Sequence, residues 1–237
     1  MWILGFISTS LGISVGGSVA WILKGFRKHF DLIYAFCAGL ILCLISIEIL
    51  PESIEMGSWI FSFVGVSIGI ITYEVLHKLL ELNKAKKKIL KKNMYIRTGL
   101  LIMISIAIHN LPMGIILGEN QDDDFTFTLL QALFFHSIPE GIILFTPLIS
   151  VGMNIFILLF ISILVSTPVA MGVYIGGYIS LGYQILSSIL ISFTAGMILM
   201  VTIKEIILPS LKLNSTRRIL LFTFLGMMIM GIYLNLI

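Results

Sequence analysis

The chain has 237 residues, 58% of them hydrophobic and only 11% charged, with a formal net charge of +3 at pH 7. Several apolar runs reach the ~20 residues that cross a bilayer as a helix, which leaves no soluble domain to place and no nucleic acid among the expected partners. The runs are continuous rather than alternating, and only helices and closed barrels satisfy their backbone in lipid, so the fold class is all-α and the protein polytopic.

Taken in chain order, the stretches between charged or turn-rich breaks give eight transmembrane helices. The first, Trp2 to Leu23, has no positive residue ahead of it and is followed by Lys24, Arg27 and Lys28, so it reads as a retained helix rather than a cleaved signal. The second runs from Leu32 to Leu50 and the third from Ser58 to Leu80, with Glu52 and Glu55 between them. After the third comes ELNKAKKKILKKNMYIR, rich in Lys and without His, a segment suited to anionic headgroups. The fourth and fifth, Thr98 to Gly118 and Phe127 to Leu148, are joined by a turn holding Glu119, Asp122, Asp123 and Asp124. With Glu48, Glu52 and Glu55 on the same side, these acids would concentrate cations at an entrance. The sixth is Met153 to Tyr178, the seventh Tyr183 to Leu208 and the eighth Ile219 to Leu236, with Lys212, Arg217 and Arg218 before the last. Lys and Arg thus gather in the odd-numbered loops, which the positive-inside rule makes cytoplasmic, with both termini outside.

Minor features have plain readings. Cys37 and Cys43 fall on different faces of one helix, where small buried hydrophobes with no mutual disulfide are expected. His29 and His77 read as interfacial residues, and Glu74 and Glu205 lie toward the inner surface with Lys78 and Lys204 as local partners. Gly12 with Gly16, Gly65 with Gly69, and Gly172 with Gly176 suit tight helix contacts within the chain or between chains, the latter giving a homodimer.

Two repeats organise the sequence. AGLILCLISIEIL from Ala38 resembles AGMILMVTIKEII from Ala195, with the Gly and Glu equally spaced, and the two helices cross in opposite directions. A 3+2+3 inverted-repeat arrangement follows, spans one to three mirrored by six to eight around a central pair, and transporters of this design bind ions near the midplane. The second repeat lies in the central pair: HNLPMGIILG from His109 to Gly118, and HSIPEGIILF from His136 to Phe145.

Residues four apart share a helical face, so His109 stacks over Met113 and His136 over Glu140. Pro112 and Pro139 remove an amide NH and are expected to break each helix beside an imidazole, freeing the carbonyls of Ile108 and Phe135. Imidazole nitrogen with carboxylate oxygen is a ligand set for Zn²⁺ and neighbouring divalent ions. A carboxylate such as Glu140 costs roughly 2.5–3.5 kcal/mol at mid-membrane, and with no Lys or Arg at that depth its countercharge is a metal or a proton. Either His alone would pass for a packing residue; the pair with one shared acid reads as a metal site.

At these residues the chain resembles the ZIP (zinc- and iron-regulated transporter-like) family, most closely its short bacterial members. The resemblance covers nearly the whole chain, treated as one domain over residues 1–237, and rests on the paired His motifs and on GLILCLISIEILPES and GMILMVTIKEIILP. It implies eight spans, no enzymatic activity, no resident cofactor, and import of a divalent transition metal, zinc or iron, across the plasma membrane by alternating access. His109, Asn110, His136 and Glu140 fit the family's metal residues. Met113, Ser137 and Thr167 stand where relatives place carboxylates or other ligands, so a single-metal site is expected, completed by Met113. Such a site is softer than usual, favouring Zn²⁺ or Fe²⁺ over Mn²⁺ and able to admit Cu⁺. Two other classes stay open: a membrane-embedded zinc hydrolase, against which stands the absence of HExxH, and a degenerate member that binds metal without moving it.

Overall fold

In a computed structural model of the chain, residues 1–24, 30–82, 91–119, 123–178 and 184–235 are described, with the side chains of 80–82, 91–94, 123–125 and 213 left aside. His29, Asp122 and most of the Lys-rich segment lie outside the described residues, as do the side chains of Asp123 and Asp124. Eight helices are long and apolar enough to cross a membrane: α1 Trp2–Ile22, α2 Phe30–Met56, α3 Trp59–Leu79, α4 Tyr95–Glu119, α5 Thr126–Ser150, α6 Ile155–Tyr178, α7 Gln184–Lys212 and α8 Thr216–Leu234. No strand occurs among the described residues.

The helix ends agree with the apolar runs except in α2 and α7, which continue past Leu50 and Leu208 to Met56 and Lys212. Both contain a π-helical turn, Ile45–Ile49 in α2 and Thr202–Ile207 in α7, and each turn is followed directly by Leu-Pro. A π turn widens the coil by one residue, which gives the rings of Pro51 and Pro209 room against the carbonyls one turn back, so the helix continues instead of ending. The expected breaks at Pro112 and Pro139 are absent: α4 and α5 are helical through both prolines, and α6 through Pro168. One missing NH is tolerated in a membrane helix whose neighbours hold it in place. The irregular backbone belongs to α2 and α7 instead.

The helix α5 is the most central, with 72% of its apolar stretch buried, whereas α8 has 17% buried and is peripheral. Large apolar side chains such as Trp59, Phe63, Phe156, Phe160 and Ile232 cover the outside, as a lipid-facing surface requires. Close helix pairs form where glycine removes the side chain. Gly12 and Gly16 of α1 abut the backbone of Phe134 and Ile138 in α5, and Gly141 abuts Ile13 in return. Gly114 abuts Val169 and Gly172 abuts Leu111, which joins α4 to α6. Gly69 meets Phe193, Gly196 and Met197 of α7; Gly226 of α8 meets Phe36, Gly39 and Leu40, and the two sets differ by one constant interval along the chain.

These close glycine approaches fall into two groups. Those of α1, α4, α5 and α6 stay among themselves, and those of α2, α3, α7 and α8 stay among themselves. All three glycine pairs singled out in the sequence serve contacts inside the chain.

Polar contacts mark the two ends. Where α2, α3 and α7 meet, Ser53 and Ser62 are hydrogen-bonded at 2.8 Å and Ser188 donates to the Ser53 carbonyl at 2.6 Å; nearby, Ser187 donates to Glu119. This is the acidic end, with Glu52 and Glu55. At the basic end Asn214 donates to Asp31, and Lys24, Lys212, Arg217 and Arg218 stand close to the helix ends. Cys37 and Cys43 are both buried and free.

Candidate metal centre

The halves of the His repeat meet at mid-length of α4 and α5. His109 Nε2 lies 3.1 Å from Glu140 Oε1, and His136 Nε2 lies 3.9 Å from the same oxygen. One ligand atom from each of the three residues falls within 4.8 Å of the others. All three side chains are almost fully enclosed: His109 is 1% exposed, His136 6% and Glu140 4%.

The backbone decides what each ring presents. His109 Nδ1 faces the Ser105 carbonyl at 3.1 Å and His136 Nδ1 faces the Ala132 carbonyl at 2.8 Å, each one turn back along its own helix. A carbonyl only accepts, so both Nδ1 atoms carry the hydrogen, and a neutral ring then directs the lone pair of Nε2 toward the carboxylate. Glu140 Oε2 has no hydrogen-bond partner, and among the described residues the ion-pair partners of this carboxylate are the two imidazoles. Electron-rich atoms converging in a dry interior repel one another unless a cation or proton sits among them. A tetrahedral Zn²⁺ with bonds near 2.1 Å places its ligand atoms roughly 3.4 Å apart, and the separations here, 3.1 and 3.9 Å to the carboxylate and no more than 4.8 Å among all three, bring the set within side-chain rotation of a common ion.

Asn110 is fully buried; its Nδ2 donates to the Val165 carbonyl of α6 at 3.0 Å, and its Oδ1 has no partner. Met113 packs against the small cluster of Leu117, Leu133, Val169 and Val173 and lines a cavity of about 30 Å³ together with His136. Ser137 spends its hydroxyl on the Leu133 carbonyl at 2.6 Å. Thr167 is on the exposed face of α6 and donates to Ile163, so it faces away from the two imidazoles' enclosed surroundings. On the basic side, His109 and Glu140 line a second cavity of about 20 Å³ with Ser105, Thr202 and Ile206. The centre therefore sits between two small spaces, one toward each end of the bundle.

A second polar cluster near the basic end escaped the sequence reading. Glu205, buried in the π turn of α7, accepts from Tyr73 Oη at 2.9 Å and from Thr98 Oγ1 at 3.3 Å, with His77 Nε2 at 3.6 Å. Arg97 Nη2 lies 3.2 Å from the same His77 nitrogen. His77, partly buried near the basic end, thus joins this network through Glu205 and Arg97. Lys204 pairs with Glu74 as expected, while Lys78 is exposed. The signal available was the pairing of each helix-borne Glu with a Pro one turn later, at Glu48 and Pro51 and at Glu205 and Pro209.

Fold and centre together define a polytopic α-helical membrane protein with two imidazoles and a carboxylate gathered in its interior. Comparison with family models gives a match to the family described as "ZIP Zinc transporter" over residues 83–234, from before α4 to the end of α8, and the chain belongs to that family. Its members are transporters of divalent metal ions, not enzymes, and this chain is accordingly a multi-pass metal-ion transporter. No curated protein matched the chain with significance.

Proposed function

We propose that the protein carries Zn²⁺, or a neighbouring ion such as Fe²⁺, across the plasma membrane into the cytoplasm, holding one ion at a time among His109, His136 and Glu140. The observation that carries this reading is the convergence of both Nε2 atoms on one carboxylate oxygen, with no Lys or Arg in ion-pair contact with it among the described residues. Met113, which lines a cavity together with His136, is the candidate to complete the shell with its thioether, and Asn110, next to His109 in sequence, keeps an unpartnered Oδ1. In this reading the odd loops are cytoplasmic, both termini are external, and all eight helices make one domain in a 3+2+3 inverted repeat. The pairings of α1 with α5 and α6 with α4, and of α3 with α7 and α8 with α2, support that symmetry.

The two glycine-bound groups support alternating access. The three ligands all belong to the group of α1, α4, α5 and α6, whereas α2 and α7 of the other group supply Ile41, Thr202 and Ile206 on the basic side and Leu44, Glu48 and Ile191 on the acidic side. A glycine interface with backbone touching backbone resists sliding, so each group moves as a unit. Displacing the first group along the second would connect the ion to one cavity and then to the other.

The test is uptake into liposomes by the purified protein across a panel of Zn²⁺, Fe²⁺, Mn²⁺ and Cu⁺, beside Glu140→Gln. Zinc accumulation lost in the variant supports the reading. Binding without accumulation in the intact protein would instead favour a degenerate family member.

A further inference from the structure

The acidic side of the bundle holds a larger space that the transport cycle above does not use. A cavity of about 240 Å³ lies between α2, α5 and α8, walled by Glu48, Gln131, Phe135, Met230 and Tyr233. It adjoins the 30 Å³ cavity that His136 lines, and the two share Leu44, Ala132 and Glu48. Of these three, Glu48 alone carries a group able to bind an ion.

The sizes set the chemistry. Roughly 10–15 Å³ of such space suffices for one water, so the larger cavity admits a divalent ion with its hydration shell, while the smaller admits about two waters. An ion moving from one to the other has to lose most of its water at the boundary. Glu48 stands there, and its Oε2 is enclosed without a hydrogen-bond partner. Its position in the π turn Ile45–Ile49 shifts it out of the regular helical register. Glu52, one turn further on, lines the smaller cavity beside His136. The corresponding acid of α7, Glu205, is by contrast already engaged by Tyr73, Thr98 and His77.

We propose that Glu48 is the capture ligand of the acidic side: it takes a hydrated divalent cation from the larger cavity, replaces part of its water, and passes it to His136. The proposal rests on the reading of His109, His136 and Glu140 as the ion's central site. Only ligand exchange is involved, with carboxylate oxygen replacing water and imidazole nitrogen then replacing carboxylate.

Zinc flux in liposomes reconstituted in one orientation, with the ion offered in turn to each face, tests it. For Glu48→Gln the half-saturating zinc concentration should rise about tenfold at the acidic face, as expected for loss of a focusing charge, and stay unchanged at the basic face, with the maximal rate kept within about twofold. Gln131→Lys, which puts a positive charge in the larger cavity without touching Glu48, should raise the same constant on the same face; it decides the matter if Glu48→Gln does not fold. Unchanged half-saturation at the acidic face, with Glu140→Gln inactive in parallel, overturns the role of Glu48. Normal flux through Glu140→Gln would overturn the central-site reading instead.

Discussion

His109 of α4 and Glu140 of α5 approach within 3.1 Å, and this contact joins the two halves of a repeated motif at the centre of the bundle. Because the other ring nitrogen of His109 is committed to the Ser105 carbonyl, the Nε2 facing Glu140 is the one left to bind an ion. The first consequence concerns the acid. Glu140→Gln keeps the shape and removes the charge, so Zn²⁺ binding measured by chelator competition should weaken at least about a hundredfold, since even partners outside the ligand shell are worth 10–100-fold. Affinity within threefold of the unaltered protein would mean that this carboxylate is not a ligand.

Acidity should weaken the same site. Both Nδ1 atoms hold hydrogens bonded to backbone carbonyls, so each added proton has to occupy an Nε2 and block it as a ligand. A ligating imidazole is therefore neutral, and binding releases any proton held there. The sign is that affinity is highest where both rings are neutral and falls as acidity increases, by up to about tenfold per pH unit for each ring that must lose a proton. Zinc binding titrated between mildly acidic and neutral pH should show this decline, and a flat profile would remove the imidazoles from the shell.

Met113 gives a test of selectivity. Its thioether lines the cavity that His136 shares, and it is the softest donor near the centre. Met113→Leu keeps the volume, so folding should be little affected. Loss of the sulfur should reduce Cu⁺ and Cd²⁺ binding several-fold while Zn²⁺ changes less, as competition among the ions would reveal. An equal loss for all ions would assign Met113 to packing.

Much of this architecture is visible in the amino acids because lipid imposes simple rules. Spans must be about 20 apolar residues long, so α1, α3, α6 and their ends emerge directly. The HNLPMG and HSIPEG segments place His109, His136 and Glu140 on inward faces for the same reason that polar groups at membrane depth avoid lipid. Helix continuity was harder to read. Pro112 and Pro139 suggested breaks where the helices run on, and the apolar runs stopped at Leu50 and Leu208, where π turns let α2 and α7 continue through Pro51 and Pro209. A missing NH leaves local pattern unable to say whether neighbouring helices will hold the backbone in place. The network around Glu205 was hidden for a related reason: Tyr73, Thr98 and Glu205 come from three helices far apart in sequence, and only packing brings them together.

That network supplies the last prediction, because it lies beside an ion pair of similar appearance and different worth. Tyr73 is fully buried and donates to the enclosed carboxylate of Glu205, whereas Lys204 and Glu74 are each about one-third exposed. A hydrogen bond to a buried charge contributes about 1.5–3 kcal/mol, and its loss leaves Glu205 with one fewer donor. An ion pair open to solvent contributes at most about 1 kcal/mol. Tyr73→Phe should therefore lower the unfolding midpoint in detergent clearly more than Lys204→Met does, although the second change removes a full charge and the first only a hydroxyl. If the order were reversed, the stability of the basic end would come from its surface charges, and the buried contact between α3 and α7 through Glu205 would be incidental to holding those helices together.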